Sequence, residues 1–82
     1  MQLTIVTPEK KLVDAQTSSV TLPGEEGEMT ILQGHTYILA ALRNGEIRYT
    51  GGSPVSIEEG WVEVADNQVL VIALSGSSGL HQ

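Results

Sequence analysis

Three carboxylates fall within four residues at Gly24-Glu25-Glu26-Gly27-Glu28, the densest run of acid in the chain. Such a cluster could ligate Ca²⁺ or Mg²⁺ through oxygen. A calcium loop, however, needs ligands at alternating positions over about twelve residues, and this spacing does not supply them. A solvated acidic loop is the simpler reading. His35, in Leu32-Gln33-Gly34-His35-Thr36, could serve as a general base. Catalysis would also require a nucleophile and an orienting acid, and the spacing offers no such set. The alternative is a loop residue that meets a partner. Ser75-Gly76-Ser77-Ser78-Gly79 lacks the Gly-Lys-Ser/Thr ending of a phosphate loop and the Gly-x-Ser-x-Gly spacing of a nucleophile elbow. Trp61 and two tyrosines are too few to stack a single strand of nucleic acid. On the residues alone, an enzyme is disfavoured and no cofactor is called for.

The composition narrows the partners. Lys and Arg total 4 against 10 Asp and Glu, a formal net charge of −6 with a pI near 4.6. Nucleic acid and anionic lipid both demand clustered cations, so neither is expected. There is no cysteine, which removes disulfides, thiolate metal sites and thiol nucleophiles. Hydrophobic residues make up 40% and charged residues 17%, too apolar for a disordered chain. The longest apolar runs, Ile38–Leu42 and Val69–Leu74, fall far short of the ~20 residues of a spanning helix. Glu9, Lys10, Lys11 and Asp14 stand where a signal peptide would be apolar. At 82 residues the chain holds one small domain whose lean core can draw stability from a partner.

The elements that must position these residues read as strands. Val, Ile and Thr account for 21 residues and glycine for 9, so branched side chains alternate with frequent turns. Alternation predicts strands at Gln2–Val6, Lys11–Ala15, Ser18–Leu22, Glu28–Leu32, Tyr37–Leu42 and Glu46–Thr50, then at Val55–Glu58, Trp61–Ala65 and Gln68–Leu74. Asn44-Gly45 is the strongest two-residue hairpin signal. Gly51-Gly52, Glu59-Gly60 and Asp66-Asn67 mark further turns. Pro23–Gly27 is the one segment without strand character. Residues 1–75 are expected to form the domain, and 76–82, within Ser75–Gln82, a flexible tail in which His81 has no role. About nine or ten short strands at this spacing predict an all-β, small antiparallel β-sandwich or flattened barrel.

Six blocks then carry a family resemblance. They are Leu3–Pro8, Ser19–Glu28, Leu32–Leu42, Asn44–Arg48, Gly60–Val64 and Val69–Ala73. In order and spacing, over residues 2 to about 74, they resemble the N-terminal β-sandwich of the epsilon subunit of F-type ATP synthases. The central element is Val20-Thr21-Leu22-Pro23-Gly24-Glu25-Glu26-Gly27-Glu28 with Gly34-His35 following. The sequence departs from the family pattern at Gln33, Tyr37 and Asn44, where the family has proline. Thr30 replaces a common glycine and Leu74 an aspartate. Losing prolines enlarges the unfolded ensemble of the loop around His35. The family's C-terminal helical hairpin, which carries inhibition of ATP hydrolysis and sometimes ATP binding, has no counterpart in these residues. The resemblance therefore implies neither activity for them.

What the resemblance does imply is a non-catalytic rotor subunit. It would bind the gamma subunit and rest on the polar loops of the c-ring, coupling ion flow to ATP synthesis. Glu28 and His35 match c-ring-facing positions, with Glu25 and Glu26 on the same loop. Thr7 and Ala40 match positions near gamma. The location implied is peripheral, on the cytoplasmic face of a bacterial or the stromal face of a plastid energy-coupling membrane. Without gamma, the exposed patch could mediate self-association. Two readings of other classes stand beside it. One is a stand-alone β-sandwich module binding a carbohydrate or peptide in a groove rimmed by Trp61 or the tyrosines. The other is a small hydrolase using His35 and a glutamate.

Overall fold

Alternating apolar side chains build eight strands, here numbered in chain order: β1 Gln2–Val6, β2 Lys11–Gln16, β3 Ser19–Gly24, β4 Gly27–Leu32, β5 Ile38–Leu42, β6 Gly45–Tyr49, β7 Val55–Ala65 and β8 Gln68–Ser78. The structure is a computed structural model and describes residues 1–34 and 37–78. The strands form one sheet in the order β2-β1-β8-β7-β5-β3-β4, with β6 pairing β3 and β7. That sheet folds over a single core to which every strand contributes, with Leu3, Ile5, Leu22, Ile31, Leu42, Ile47, Val62 and Val71 fully buried. No helix among the described residues is long and apolar enough to cross a membrane. The all-β sandwich expected from the sequence is the observed fold.

The sheet folds over because it creases. On β5 and β6 the core-facing residues are Leu42 and then Ile47; on β7 they are Ile57 and then Val62. Both steps are odd, so the inward face changes parity between them, which an uninterrupted strand of period two cannot do. The change falls at one level across three neighbours. Leu42 lies opposite Gly60, and Gly60 opposite Ala73. On the far side, Gly45 lies opposite Ile57, and Ile57 opposite Gly76. Between those two buried rows stand paired exposed residues: Arg43-Asn44, Glu58-Glu59 and Leu74-Ser75.

Glu59 makes the bend, with φ at 48°. This left-handed conformation costs a non-glycine residue about 1–2 kcal/mol. Its N–H is held by the Asn44 side-chain oxygen at 3.1 Å. Gly60 follows because a Cβ there would land on the Ile72 carbonyl oxygen. Strands that bend from one layer to the next in this way are how a sheet packs on itself.

The crease corrects four expectations. Val55–Glu58 and Trp61–Ala65 are halves of one strand, because Glu59-Gly60 bends β7 without breaking its pairing to β8. Asn44-Gly45 is not a hairpin: β5 and β6 do not pair with each other but run end to end along β7. Ser75–Ser78 is not a tail, since it continues β8 opposite Val55–Glu58. Residues 79–82 lie outside the described residues. The fourth concerns Pro23–Gly27, which belongs mostly to strands. Gly24 pairs with Gly27, leaving Glu25-Glu26 as a two-residue turn between β3 and β4. The sheet is also not wholly antiparallel, for β1 lies parallel to β8.

Thr17 ties the two layers at the other end. It is buried, and its hydroxyl donates to the Thr50 carbonyl at 2.9 Å. Its backbone exchanges hydrogen bonds with Met1 at 2.9 Å.

Gly60→Ala is expected to lower stability by about 1–3 kcal/mol, because the backbone of β8 must move to admit a methyl group. Glu59→Gly should be neutral or stabilising, since glycine adopts the same φ without strain. Urea unfolding followed by circular dichroism measures both.

Candidate functional site

The side chains that the core does not use gather on the outer face of the layer formed by β1, β8, β7 and β5. Cross-strand pairing sets Ala41 opposite Trp61, Trp61 opposite Ile72, and Ile72 opposite Val6. One row of apolar side chains thus crosses four strands. The next row carries Leu39, Glu63 and Leu70, in the same pairing. Trp61 is 56% exposed, Leu39 59%, Ile72 51% and Leu74 66%. Single exposed apolar residues are ordinary, but adjacent ones on one sheet face are the usual mark of a docking surface. The Tyr37 hydroxyl reaches Glu63 at 3.5 Å, the limit of hydrogen bonding.

The acidic turn lies beside this face. Glu25 N–H donates to the Ala41 carbonyl at 3.0 Å, which binds the β3–β4 turn to β5. Glu25, Ala41 and Trp61 are therefore neighbours. Two grooves meet at these three residues. One, about 590 Å³, runs under the turn toward Met29 and Leu39. The other, about 310 Å³, runs toward Ile72, Leu74 and Pro8. A third concavity follows the crease at Asn44, Glu58 and Ser75, on the far side of the kink.

The acidic residues do not act as one group. Glu28 accepts from Arg48 at 3.0 Å, and Arg48 also approaches Glu46 at 3.8 Å. All three side chains are about half exposed, so each pair is worth at most about 1 kcal/mol and is readily exchanged. Among the described residues no group of three His, Asp or Glu side chains converges closely enough to hold a metal ion. Thr7 caps the β1–β2 turn, accepting from the Glu9 and Lys10 N–H groups at 3.3 Å. Ala40 packs against the core and also lines the larger groove, so Leu39 and Ala41 are what β5 presents outward. His35 lies outside the described residues. Sequence reasoning named Glu25 and Ala40, gave Trp61 a place only on the groove of the alternative binding-module reading, and missed Leu39, Ile72 and Leu74. The signal was available: apolar residues at both phases of β5 and β8 cannot all face one core.

Fold and site together define a small all-β domain with an apolar outer face and an acidic rim. Comparison with known proteins narrows the class. Residues 1–78 match the family described as ATP synthase, Delta/Epsilon chain, beta-sandwich domain. The ATP synthase epsilon chain of Syntrophobacter fumaroxidans is 41% identical over 76 residues, covering 89% of this chain and 57% of that protein. Epsilon chain 2 of Syntrophotalea carbinolica is 33% identical over 84 residues, covering 99% and 61%. In solved structures, a chain of the Euglena gracilis mitochondrial ATP synthase OSCP/F1/c-ring matches with TM-score 0.80 and 28% identity, over 93% of this chain and 51% of that one. A chain of the Tetrahymena thermophila mitochondrial ATP synthase central stalk/c-ring shares the fold, at TM-score 0.78 and 21% identity over 92% and 63%. The protein belongs to the ATP synthase delta/epsilon chain family, in its β-sandwich domain. It spans about three-fifths of the length of these curated relatives.

Trp61→Ala and Ile72→Thr should each change folding stability by less than about 0.5–1 kcal/mol, because neither side chain supports the core. Val62→Ala, one residue from Trp61 and fully buried, should cost about 2 kcal/mol or more. Equal losses at Trp61 and Val62 in urea unfolding would show that the outer face is packing rather than a free surface.

Proposed function

We propose that this chain is the β-sandwich of an ATP synthase epsilon subunit, a non-catalytic part of the central stalk that fastens the gamma subunit to the c-ring. The single observation that carries the reading is the apolar row Ala41, Trp61, Ile72 and Val6, with Trp61 and Ile72 exposed and Ala41 and Val6 half-buried on the outer side of a sheet that has a core of its own. Such a row costs solubility unless a partner covers it. The relatives named above are ATP synthase epsilon chains, and one structural neighbour comes from a central stalk/c-ring assembly.

In this reading the gamma subunit covers the face of β5, β7 and β8, with Ala40 beneath it and Thr7 at its margin. The c-ring loops meet the chain near Glu28, with Glu26 and His35 as further candidates. Torque passes through the domain because a close-packed core transmits strain instead of absorbing it. The crease helps, since the long β7–β8 pair belongs to both layers and keeps one register on both sides of the bend. The complex sits peripherally on an energy-coupling membrane, on the cytoplasmic side in a bacterium or the stromal side in a plastid. No cofactor takes part.

The experiment is co-purification with the gamma subunit of the same source. A stoichiometric complex that survives moderate salt supports the reading, and absence of a complex overturns it. Glu28→Lys should leave the fold and gamma binding intact while weakening docking on reconstituted c-ring by roughly three- to tenfold at low salt, as expected of a rim charge. Unchanged ring association would remove Glu28 from that contact.

A further inference from the structure

The two grooves that meet at Trp61 share one chemistry. Their floors are apolar, from Met29, Leu39 and Ala41 on one side to Ile72, Leu74 and Pro8 on the other. Their charged lining is acidic throughout: Glu25, Glu26 and Glu28 on the larger groove, Glu25 and Glu59 on the smaller. No lysine or arginine lines either groove. Glu28 has Arg48 as a partner, but among the described residues no cation stands within ion-pairing distance of Glu25, Glu26 or Glu59.

Glu25 is the best placed of these. Its backbone is fixed to Ala41, and Ala41 lies directly across from Trp61. It lines both grooves, as Trp61 does. The resemblance implied that Glu25 belongs with Glu28 on the ring side. In the fold Glu25 lies beside the apolar face, with Glu26 and Glu28 on the same larger groove and Glu25 alone of the three also on the smaller one.

We propose that the two grooves form one trough for an amphipathic, basic segment of the gamma subunit, with apolar side chains flanking the Trp61 indole and a lysine or arginine reaching Glu25. The proposal rests on the docking reading above and adds the chemistry of the segment that docks. Apolar burial around a single large aromatic supplies most of the affinity, as in other interfaces centred on a tryptophan. The carboxylates supply register and rate, since exposed charges at an interface act chiefly on orientation and encounter. A neutral apolar helix would leave the acidic wall desolvated without a partner, and an acidic one would be repelled.

The test is gamma binding measured by calorimetry at about 50 mM and about 500 mM salt, conditions that span strong and weak screening. The chain's single tryptophan also allows a site-specific probe, 5-fluorotryptophan at position 61, read by ¹⁹F NMR. Gamma should shift that resonance and shield it from added quencher. Trp61→Ala should weaken binding about 30-fold or more at both salts. Glu25→Gln should weaken it about three- to tenfold at low salt and little at high salt. Glu46→Gln, on β6 in the other layer, should leave it unchanged. If wild-type chain binds gamma but Trp61→Ala or Glu25→Gln binds as well as wild type at low salt, the trough is wrong while the docking reading stands. If wild-type chain does not bind gamma at all, both are overturned.

Discussion

The structure depends on a single hydrogen-bonded bend. Where Asn44 accepts from the Glu59 N–H, three adjacent strands change the face they bury, and one flat sheet becomes two layers around one core. Without that change Val62 and Val64 could not share an interior with Val55 and Ile57. The bend is held in three ways: the side-chain amide of Asn44, the left-handed backbone of Glu59, and the absence of a Cβ on Gly60 where β8 presses in. Backbone strain of this kind persists only where the surroundings over-determine it. Here the register of β7 with both neighbours is uninterrupted across the bend, so slipping would break pairing on two sides at once.

The docking face is a consequence of the same bend. Once β7 and β8 are committed to both layers, no further layer among the described residues covers the outer side of β5, β7 and β8. The sequence nevertheless places Trp61, Ile72 and Leu39 there, where a self-sufficient domain would carry polar residues. A chain of this length gains little stability to spare from its own core. In the docking reading proposed above, its apolar row is surface that another protein covers and not a defect of packing.

Much of this was legible in the residues. The bounds of β1 follow from Leu3 and Ile5 alternating with polar neighbours and from Pro8 beyond them. The family was legible from the order of six short blocks, and the comparisons agree. The crease was not. Glu58-Glu59-Gly60 carries the same local signal as a turn, and only the partners of β7 reveal that pairing continues through it. Asn44-Gly45 misleads for a related reason: its preference for positive φ reads as a hairpin, whereas Asn44 here spends its side chain on the bend in the next strand. Ser75–Ser78 has the composition of a linker, yet it is held by backbone pairing with Val55–Glu58, which no side-chain pattern encodes.

The placement of Glu25 shows why a carried-over role needs geometry. By sequence, Glu25, Glu26 and Glu28 are one acidic loop and would share one partner. Folded, all three line the groove beside Trp61, but their ties differ. Glu28 joins Arg48 on the outer side of β4 and β6, while Glu25 leans on Ala41 beside Trp61. Neighbouring carboxylates are thereby held in different ways, Glu28 by an ion pair and Glu25 through its backbone. The acidity that first marked the chain as a poor match for nucleic acid and lipid thus borders, in part, the exposed apolar side chains of β5, β7 and β8.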